Sequence, residues 1–318
     1  MPRKGCLGCS FPVLIGIVVV VVVLGVVSLL GGALGQSLFR GLNLPEWISV
    51  DKPHVELPAT AIFHVLGFPV TNSLLATWLS MIVLVGLAYA VTRRIKLVPS
   101  RLQALVEFAL EWILNLCVDV AGEKFGRRFF PIITTIFLFV IMNAWLSLIP
   151  GFGSITLGVE GHAVHLLRGA NTDINTPLAI ALISFVFVEF YGISSLGGLN
   201  YIKKFVRVGA FVRGLGQLFR GKVVAGFAGV FNGAIQMFVG GLEALSELVH
   251  ILSLTFRLFG NMTGGEILVL MMLFLVPWVL PIVFYSFELL VGLVQALIFS
   301  GLTLVYATIA ITPHEEEH

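Results

Sequence analysis

Charge is what this sequence has least of. Only 11% of its 318 residues are Asp, Glu, Lys or Arg, against about 25% in soluble domains, so the chain cannot cover itself with a polar surface and needs lipid as its solvent. A formal net charge of +2 leaves no excess for nucleic acid, and the basic residues stand in loops between apolar runs rather than along one face. Cysteine is scarce too: Cys6, Cys9 and Cys117 cannot make a disulfide framework. Cys6 and Cys9 form a C-x-x-C with no strand–helix pattern after it, which reads as a reduced pair in a short basic tail, with acylation of juxtamembrane thiols as the alternative. No phosphate-cradling loop or dinucleotide fingerprint occurs, so nucleotide chemistry is not done by this chain and no cofactor is expected. There is no repeat with a period of about 20–50 residues, nor the internal symmetry found in many secondary transporters.

What is present is long apolar runs. A helix needs about 20 such residues to cross the hydrocarbon core. The first run, about 11–31, follows Arg3 and Lys4 and is either a signal peptide or an extra transmembrane anchor, marking 1–40 off from a membrane domain at 41–318. A second span is expected at about 73–92, and the TRRIK after it places that end in the cytoplasm. Residues 100–125 carry Glu107, Glu111, Asp119 and Glu123 at spacings of four and eight, the pattern of an amphipathic helix in the interface. Further spans are expected at about 129–149 and 174–196, separated by an outside loop at 150–172, and the basic segment 203–222 returns to the cytoplasm. Two last stretches, about 226–276 and 278–311, form a hairpin turned by Pro277 and Pro281, with the charged tail in the cytoplasm. About 50 residues of helix would reach roughly 75 Å, so the first of these must be steeply tilted or broken near its start. The fold class is therefore an all-α membrane protein of about five to six transmembrane or membrane-embedded helices with a long tilted C-terminal helical hairpin.

Arg257 stands in the middle of that long apolar helix. An arginine at bilayer depth costs at least about 2.5–3.5 kcal/mol, and it cannot shed its proton to escape. At about 100° per residue, Asn261, Ser253, His250 and Glu243 all fall within about 40° of it, making one polar stripe that runs toward the cytoplasmic end. Glu266 lies nine residues on, roughly 180° away and about 13 Å further along. On the last helix Glu288 and Gln295 are seven apart and share a face, which the hairpin can bring beside Glu266.

Each residue has a plainer alternative. An intramembrane Asn or Ser can simply make a helix–helix hydrogen bond, His250 can snorkel, Glu243 and Glu247 can lie at the interface, and Arg257, Glu266 and Glu288 can be structural ion-pair partners. Several ionisable groups without an evident structural use mark an ion path by default. The HEEEH at 314–318 fits the zinc-protease pattern H-E-x-x-H but sits in the last five residues with no third ligand, so no metal is expected there. Asn261-Met262-Thr263 fits a glycosylation sequon inside a buried helix, where no glycan can be added. GxxxG-like spacings are uninformative among 34 glycines.

The segment SLTFRLFGNMTGGE at 253–266 resembles the signature of ATP synthase subunit a, in which the arginine faces a rotating ring of c subunits. GFPVTNSLLATWL, FLFVIMNAWLSLIPGF, TDINTPLAIAL and VQALIFSGLTLVY resemble four other segments of that family in the same order, so the resemblance covers about 60–311. By position, it implies that Arg257 is the family's arginine and Asn261 its polar companion. It further implies that Gln295 sits across from the arginine, that Tyr306 lies near the cytoplasmic end of the last helix, and that Asn143 belongs to the second core span. Glu266 and Glu288 match positions lining an outer half-channel, and Glu243, His250 and Ser253 match positions of an inner one, both formed mainly by 226–311. The N-terminal segment 1–40 and the length of the basic loop 203–222 depart from the family pattern.

The resemblance implies a stationary proton-channel subunit that offers two offset half-channels to a c-ring, couples proton flow to rotation and ATP synthesis, and is not an enzyme on its own. It implies the c-ring and the b subunits of the peripheral stalk as partners, with lipid around them, in the cell inner (plasma) membrane. A Na+-coupled version of the same subunit and an unrelated secondary ion transporter are the alternative readings. A purely structural scaffold would leave Arg257 unexplained.

Overall fold

In the computed structural model, residues 11–38 and 59–312 are described, apart from 66, 94, 150, 153–154, 160–161, 199–208, 210–211, 214, 217–222 and 278. Cys6, Cys9, most of the basic segment 203–222 and the tail 314–318 lie outside the described residues. The order of elements is α1 (Phe11–Gly31), α2 (Ala33–Leu38), β1 (Ala61–Val65), β2 (Phe68–Thr71), α3 (Asn72–Thr92), α4 (Arg101–Ser147), β3 (Thr156–Val159), β4 (His162–His165), a 3-10 turn (Ala170–Thr172), α5 (Asn175–Leu196), α6 (Val223–Leu275) and α7 (Leu280–Ile311). Six of the helices are long and apolar enough to cross a membrane. The architecture is all-α and membrane-embedded, with a long C-terminal hairpin.

Helix starts follow from their capping residues. The Thr71 hydroxyl accepts the Leu74 N–H at 3.3 Å to begin α3, Ser100 accepts the Gln103 N–H at 3.4 Å to begin α4, and Pro281 occupies the first turn of α7, where its missing N–H costs nothing. Asp173 accepts the Asn175 N–H at 3.2 Å on one oxygen and the Ser73 hydroxyl at 2.7 Å on the other. One carboxylate thus accepts the first N–H of α5 and ties it to the start of α3. Two short antiparallel hairpins, β1–β2 and β3–β4, precede α3 and α5. The second falls inside the stretch 150–172, expected from the sequence to be an outside loop. Asn72 joins the two regions by donating to Thr60 Oγ1 at 3.1 Å and to the His165 carbonyl at 3.3 Å.

The expected interfacial helix and the next span form a single element, α4, interrupted at Gly122. Its backbone sits at φ 74°, ψ 166°, a conformation open to glycine and strained for other residues. Downstream of this break α4 packs on α7 and, through Phe129, on α5, while α5, α6 and α7 pack on one another; together they form the core, in which Phe129, Val140, Ala181, Leu258, Ala296, Phe299 and Ala307 are all but fully buried. Phe129 makes edge-on contacts with Phe187 and Tyr191, at centroid separations of 5.4 and 4.8 Å. Such aromatic geometry adds about 0.5–1.5 kcal/mol to area burial.

α6 is one unbroken helix of 53 residues, about 80 Å long at 1.5 Å per residue. It exceeds the roughly 30 Å hydrocarbon thickness by so much that only a strong tilt accommodates it. Phe227, Phe231, Phe238, Leu245, Leu252 and Phe256 form an exposed apolar flank along it. α1 is apolar all round and exposed along most of its length. It touches the rest at its far end, where the Val279 N–H donates to the buried Ser28 hydroxyl at 3.4 Å beside the α6–α7 connection.

Candidate functional site

Two cavities flank the layer that holds Arg257. The first, of about 220 Å³, is lined by Asn143 and Ser147 of α4, Arg168, Asn171 and Thr172 of the β4–α5 connection, Met262 and Glu266 of α6, and Tyr285 and Glu288 of α7. The second, of about 250 Å³, is lined by Ser184 of α5, Glu243, Ser246, Glu247, His250 and Leu254 of α6, and Tyr306 of α7. A water molecule occupies about 30 Å³ in the liquid, so either cavity has room for several. Along α6 the last residue lining the His250 cavity is Leu254 and the first lining the Glu288 cavity is Met262. Arg257 lies between them. The separation of eight residues is about 12 Å of helix.

Packing closes that gap. Leu258, Ala296, Phe299 and Gln295 are almost completely buried there, and the Asn261 amide donates to Gln295 Oε1 at 2.8 Å, binding α6 to α7. Arg257 itself is half-buried beside the open apolar flank of α6. Its guanidinium approaches the Ser253 hydroxyl at 3.5 Å. Among the described residues no carboxylate forms an ion pair with it; the pairs found are Arg127–Glu123 and Arg168–Glu266. Ser253 and Asn261 are exposed on the same side, where the 3.6-residue period places them. Gln295, across on α7, keeps its amide nitrogen buried and without a hydrogen-bond partner in the chain.

The structure brings Glu266 and Glu288 into one cavity. Glu288 is 5% exposed and its carboxylate presses against the backbone of Gly265, so closely that a Cβ at that position would overlap it. A side chain at 265 would therefore expel the carboxylate, and this is the close approach that glycine alone permits. Glu266 is joined by Arg168, with Nε 3.7 Å from Oε2. Asn143 is buried and held on both ends, accepting the Ser80 hydroxyl at 2.7 Å and donating to the Phe139 carbonyl at 3.0 Å. Asn171 and Glu288 each keep one buried oxygen without a hydrogen-bond partner, which marks the cavity as a place for water. In the other cavity His250 stacks on Tyr306, with ring centroids 3.9 Å apart and planes 19° apart, and Glu243 and Glu247 line the same space. The Ser184 and Thr303 hydroxyls hydrogen-bond at 2.7 Å, linking α5 to α7 there.

The family model described as ATP synthase A chain matches residues 74–308, which includes Arg257, the whole lining of the first cavity and all but Ile309 and Ala310 of the second. The chain belongs to the ATP synthase A chain family. It is similar to ATP synthase subunit a of Geobacter sp. (strain M21), 32% identical over 77% of this chain and 90% of the relative. It is likewise similar to that of Gloeobacter violaceus, 31% over 78% and 86%, and to that of Moorella thermoacetica, 28% over 77% and 93%. Membership in the ATP synthase A chain family makes the protein a multi-pass membrane subunit of the proton-channel sector, working in a complex with other ATP synthase subunits.

The candidate ion-path residues Asn143, Glu243, His250, Ser253, Arg257, Asn261, Glu266, Glu288, Gln295 and Tyr306 lie at or beside one of the two cavities or in the layer between them, while Arg168, Asn171, Tyr285, Ser184 and Gly265 were not singled out. Arg168 and Asn171 sit in an irregular connection with no period to betray them, and Gly265 is one glycine among many. An arginine flanked by apolar residues in LLRGAN, ahead of a span, was the one usable signal.

Proposed function

We propose that the two cavities are the ends of two offset half-channels and that Arg257 is the barrier and counter-ion between them. The observation that carries this is the position of Arg257, between the last residue lining one cavity and the first lining the other, with no carboxylate of its own described chain as partner. A half-buried arginine in an apolar helix requires a counter-charge, and the side on which it stands is the open flank of α6. The fitting partner is a carboxylate of the c-ring carried past that flank.

The Glu288 cavity then serves as the outer half-channel and the His250 cavity as the inner one, with the chain's C-terminus cytoplasmic as the basic segments require. A proton enters past Glu288 and Glu266 and neutralises a ring carboxylate, which can then face lipid at low cost. After nearly a full turn that carboxylate reaches the inner half-channel and releases its proton past Ser253, His250, Tyr306 and Glu243. Arg257 favours the ionised form of the arriving carboxylate, and as a fixed cation it repels a proton moving straight from one cavity to the other. Asn261 and Gln295 seal the layer around it, and Asn143 lines the outer path. In this way proton flow is coupled to rotation and ATP synthesis. The b subunits of the peripheral stalk would hold the subunit stationary, the cell inner membrane would be its location, and residues 1–40 would add an extra anchor or a signal segment to a membrane domain at 41–318. The transported ion is taken to be H+, with the Na+-coupled version of the same subunit as the alternative reading.

Cross-linking tests the docking. A cysteine at Phe256, which is 55% exposed beside Arg257, should form a disulfide with a cysteine placed next to the ring carboxylate, whereas one at buried Leu258 should not. Equal yields at both positions would show that α6 presents a different face to the ring.

A further inference from the structure

Arg168 is a nearly buried cation for which the path described above has no use. Its side chain is 10% exposed, and burying a guanidinium is expensive unless its charge serves something. The connection that carries it is fixed on both sides. Upstream, the Leu166 N–H donates to the Ile155 carbonyl at 2.8 Å and the Asn72 amide holds the His165 carbonyl at 3.3 Å. Downstream, the Thr172 N–H and hydroxyl both donate to the Gly169 carbonyl, at 3.1 and 2.7 Å. The backbone on either side of Arg168 is thus held, and its Nε stands 3.7 Å from Glu266 Oε2. That distance exceeds a direct hydrogen bond and leaves the carboxylate in contact with the cavity.

The other polar groups of this cavity are oxygen-rich: the carboxylates of Glu266 and Glu288, the amides of Asn143 and Asn171, and the hydroxyls of Ser147, Thr172 and Tyr285. Oxygen donors of this kind suit hard metal cations such as Na+ or Ca2+. Among the described lining residues Arg168 is the only cation. It is permanently protonated, so it can neither take up nor pass on the transported proton.

We propose that Arg168 is a selectivity and positioning residue of the outer path: it holds Glu266 at the cavity wall and puts a fixed positive charge where a metal cation would otherwise sit, so that protons pass and metal ions do not. Protons move between carboxylates and water without a metal-sized site, whereas Na+ or Ca2+ must enter the cavity whole and meets the guanidinium at short range, in a medium less polar than water. This proposal rests on the assignment of the Glu288 cavity as the outer half-channel.

The test uses the complete ATP synthase in liposomes, with the outer cavity facing the lumen, and measures ATP-driven proton pumping with and without luminal Na+ or Ca2+. The native complex should be indifferent to either metal. Arg168→Gln should pump more slowly than the native complex in metal-free buffer, because Glu266 is no longer held, and lose about a further tenfold or more of its rate when luminal Ca2+ is added, the scale expected when a unit charge at short range is removed. Arg168→Lys should restore indifference to metal, because the charge returns, while pumping more slowly than the native complex, because the ammonium does not reproduce the position of the guanidinium beside Glu266. Pumping by Arg168→Gln that is unaffected by metal would overturn the proposal. If the glutamine variant fails to assemble, metal sensitivity in Arg168→Lys would overturn it equally. Glu266→Ala/Glu288→Ala separates the two levels: full pumping by that variant removes the outer path itself, whereas lost pumping there beside a metal-indifferent Arg168→Gln removes only the role given to Arg168.

Discussion

The two cavities share α6 and α7 yet are built in different ways. The His250 cavity is made of three helix faces: α5, the first half of α6 and the end of α7. Its polar groups lie at helical spacing on two of those faces, and rings stack on rings. The Glu288 cavity draws on α4, the β4–α5 connection, α6 and α7. Its groups are tied to partners distant in sequence, with Asn143 bonded to the Ser80 hydroxyl, Asn171 to the Val140 carbonyl at 3.5 Å and Arg168 paired to Glu266. A site assembled from helix faces can adjust by small shifts of whole helices. A site stitched through a connection holds fixed positions and tolerates less change in shape. The proposed entry path is therefore the stricter of the two and the proposed exit path the more forgiving.

Removing both carboxylates from the stricter site should have the largest effect on this contrast. Glu266→Ala/Glu288→Ala should slow proton translocation by about a hundredfold, the scale of losing a positioned proton-transfer group, while the complex stays assembled on native gels. Retention of full pumping would sink the assignment. Shape alone comes next. Gly265→Ala keeps every ionisable group but puts a methyl where the Glu288 carboxylate lies, an overpacking worth about 1–3 kcal/mol, and pumping should fall about tenfold. A normal rate would mean that the close approach is dispensable. The smallest effect belongs to the forgiving site. His250→Phe preserves a ring against Tyr306 while deleting the titratable group, and pumping should drop only about twofold to threefold, with Glu243 and Glu247 still lining the path. A loss as large as that of the outer double variant would erase the distinction between the cavities.

The same contrast explains what could be read in the sequence. The α6 side of the His250 cavity and the layer beside it could be read because Glu243, His250, Ser253, Arg257 and Asn261 repeat at helical spacing, and the helix that carries them forms as one unbroken element. Glu266 and Glu288 were legible as intramembrane carboxylates, and Pro277 and Pro281 indicated the hairpin that brings them together. Arg168 and Asn171 were not, since nothing local says which way an irregular connection folds and the meeting of Arg168 with Glu266 depends on the packing of the whole bundle. The β1–β2 and β3–β4 hairpins were missed because their strands are too short to show an alternating pattern. Gly122 ends the interfacial part of α4 close to where the acidic pattern stops, but only the backbone conformation shows that the two parts are joined.

The central claim is that Arg257 separates two half-channels, and vesicles carrying Arg257→Ala test it most directly. ATP-driven pumping and passive proton flow down an imposed gradient should be measured on the same preparation. Pumping should vanish while assembly is retained, and passive flow should persist or rise because the fixed charge between the cavities is gone. Lysine at 257 should rescue poorly, since it can lose its proton in a desolvated site and lacks the planar fork. Pumping at a normal rate in Arg257→Ala would make Arg257 a packing residue and contradict the account.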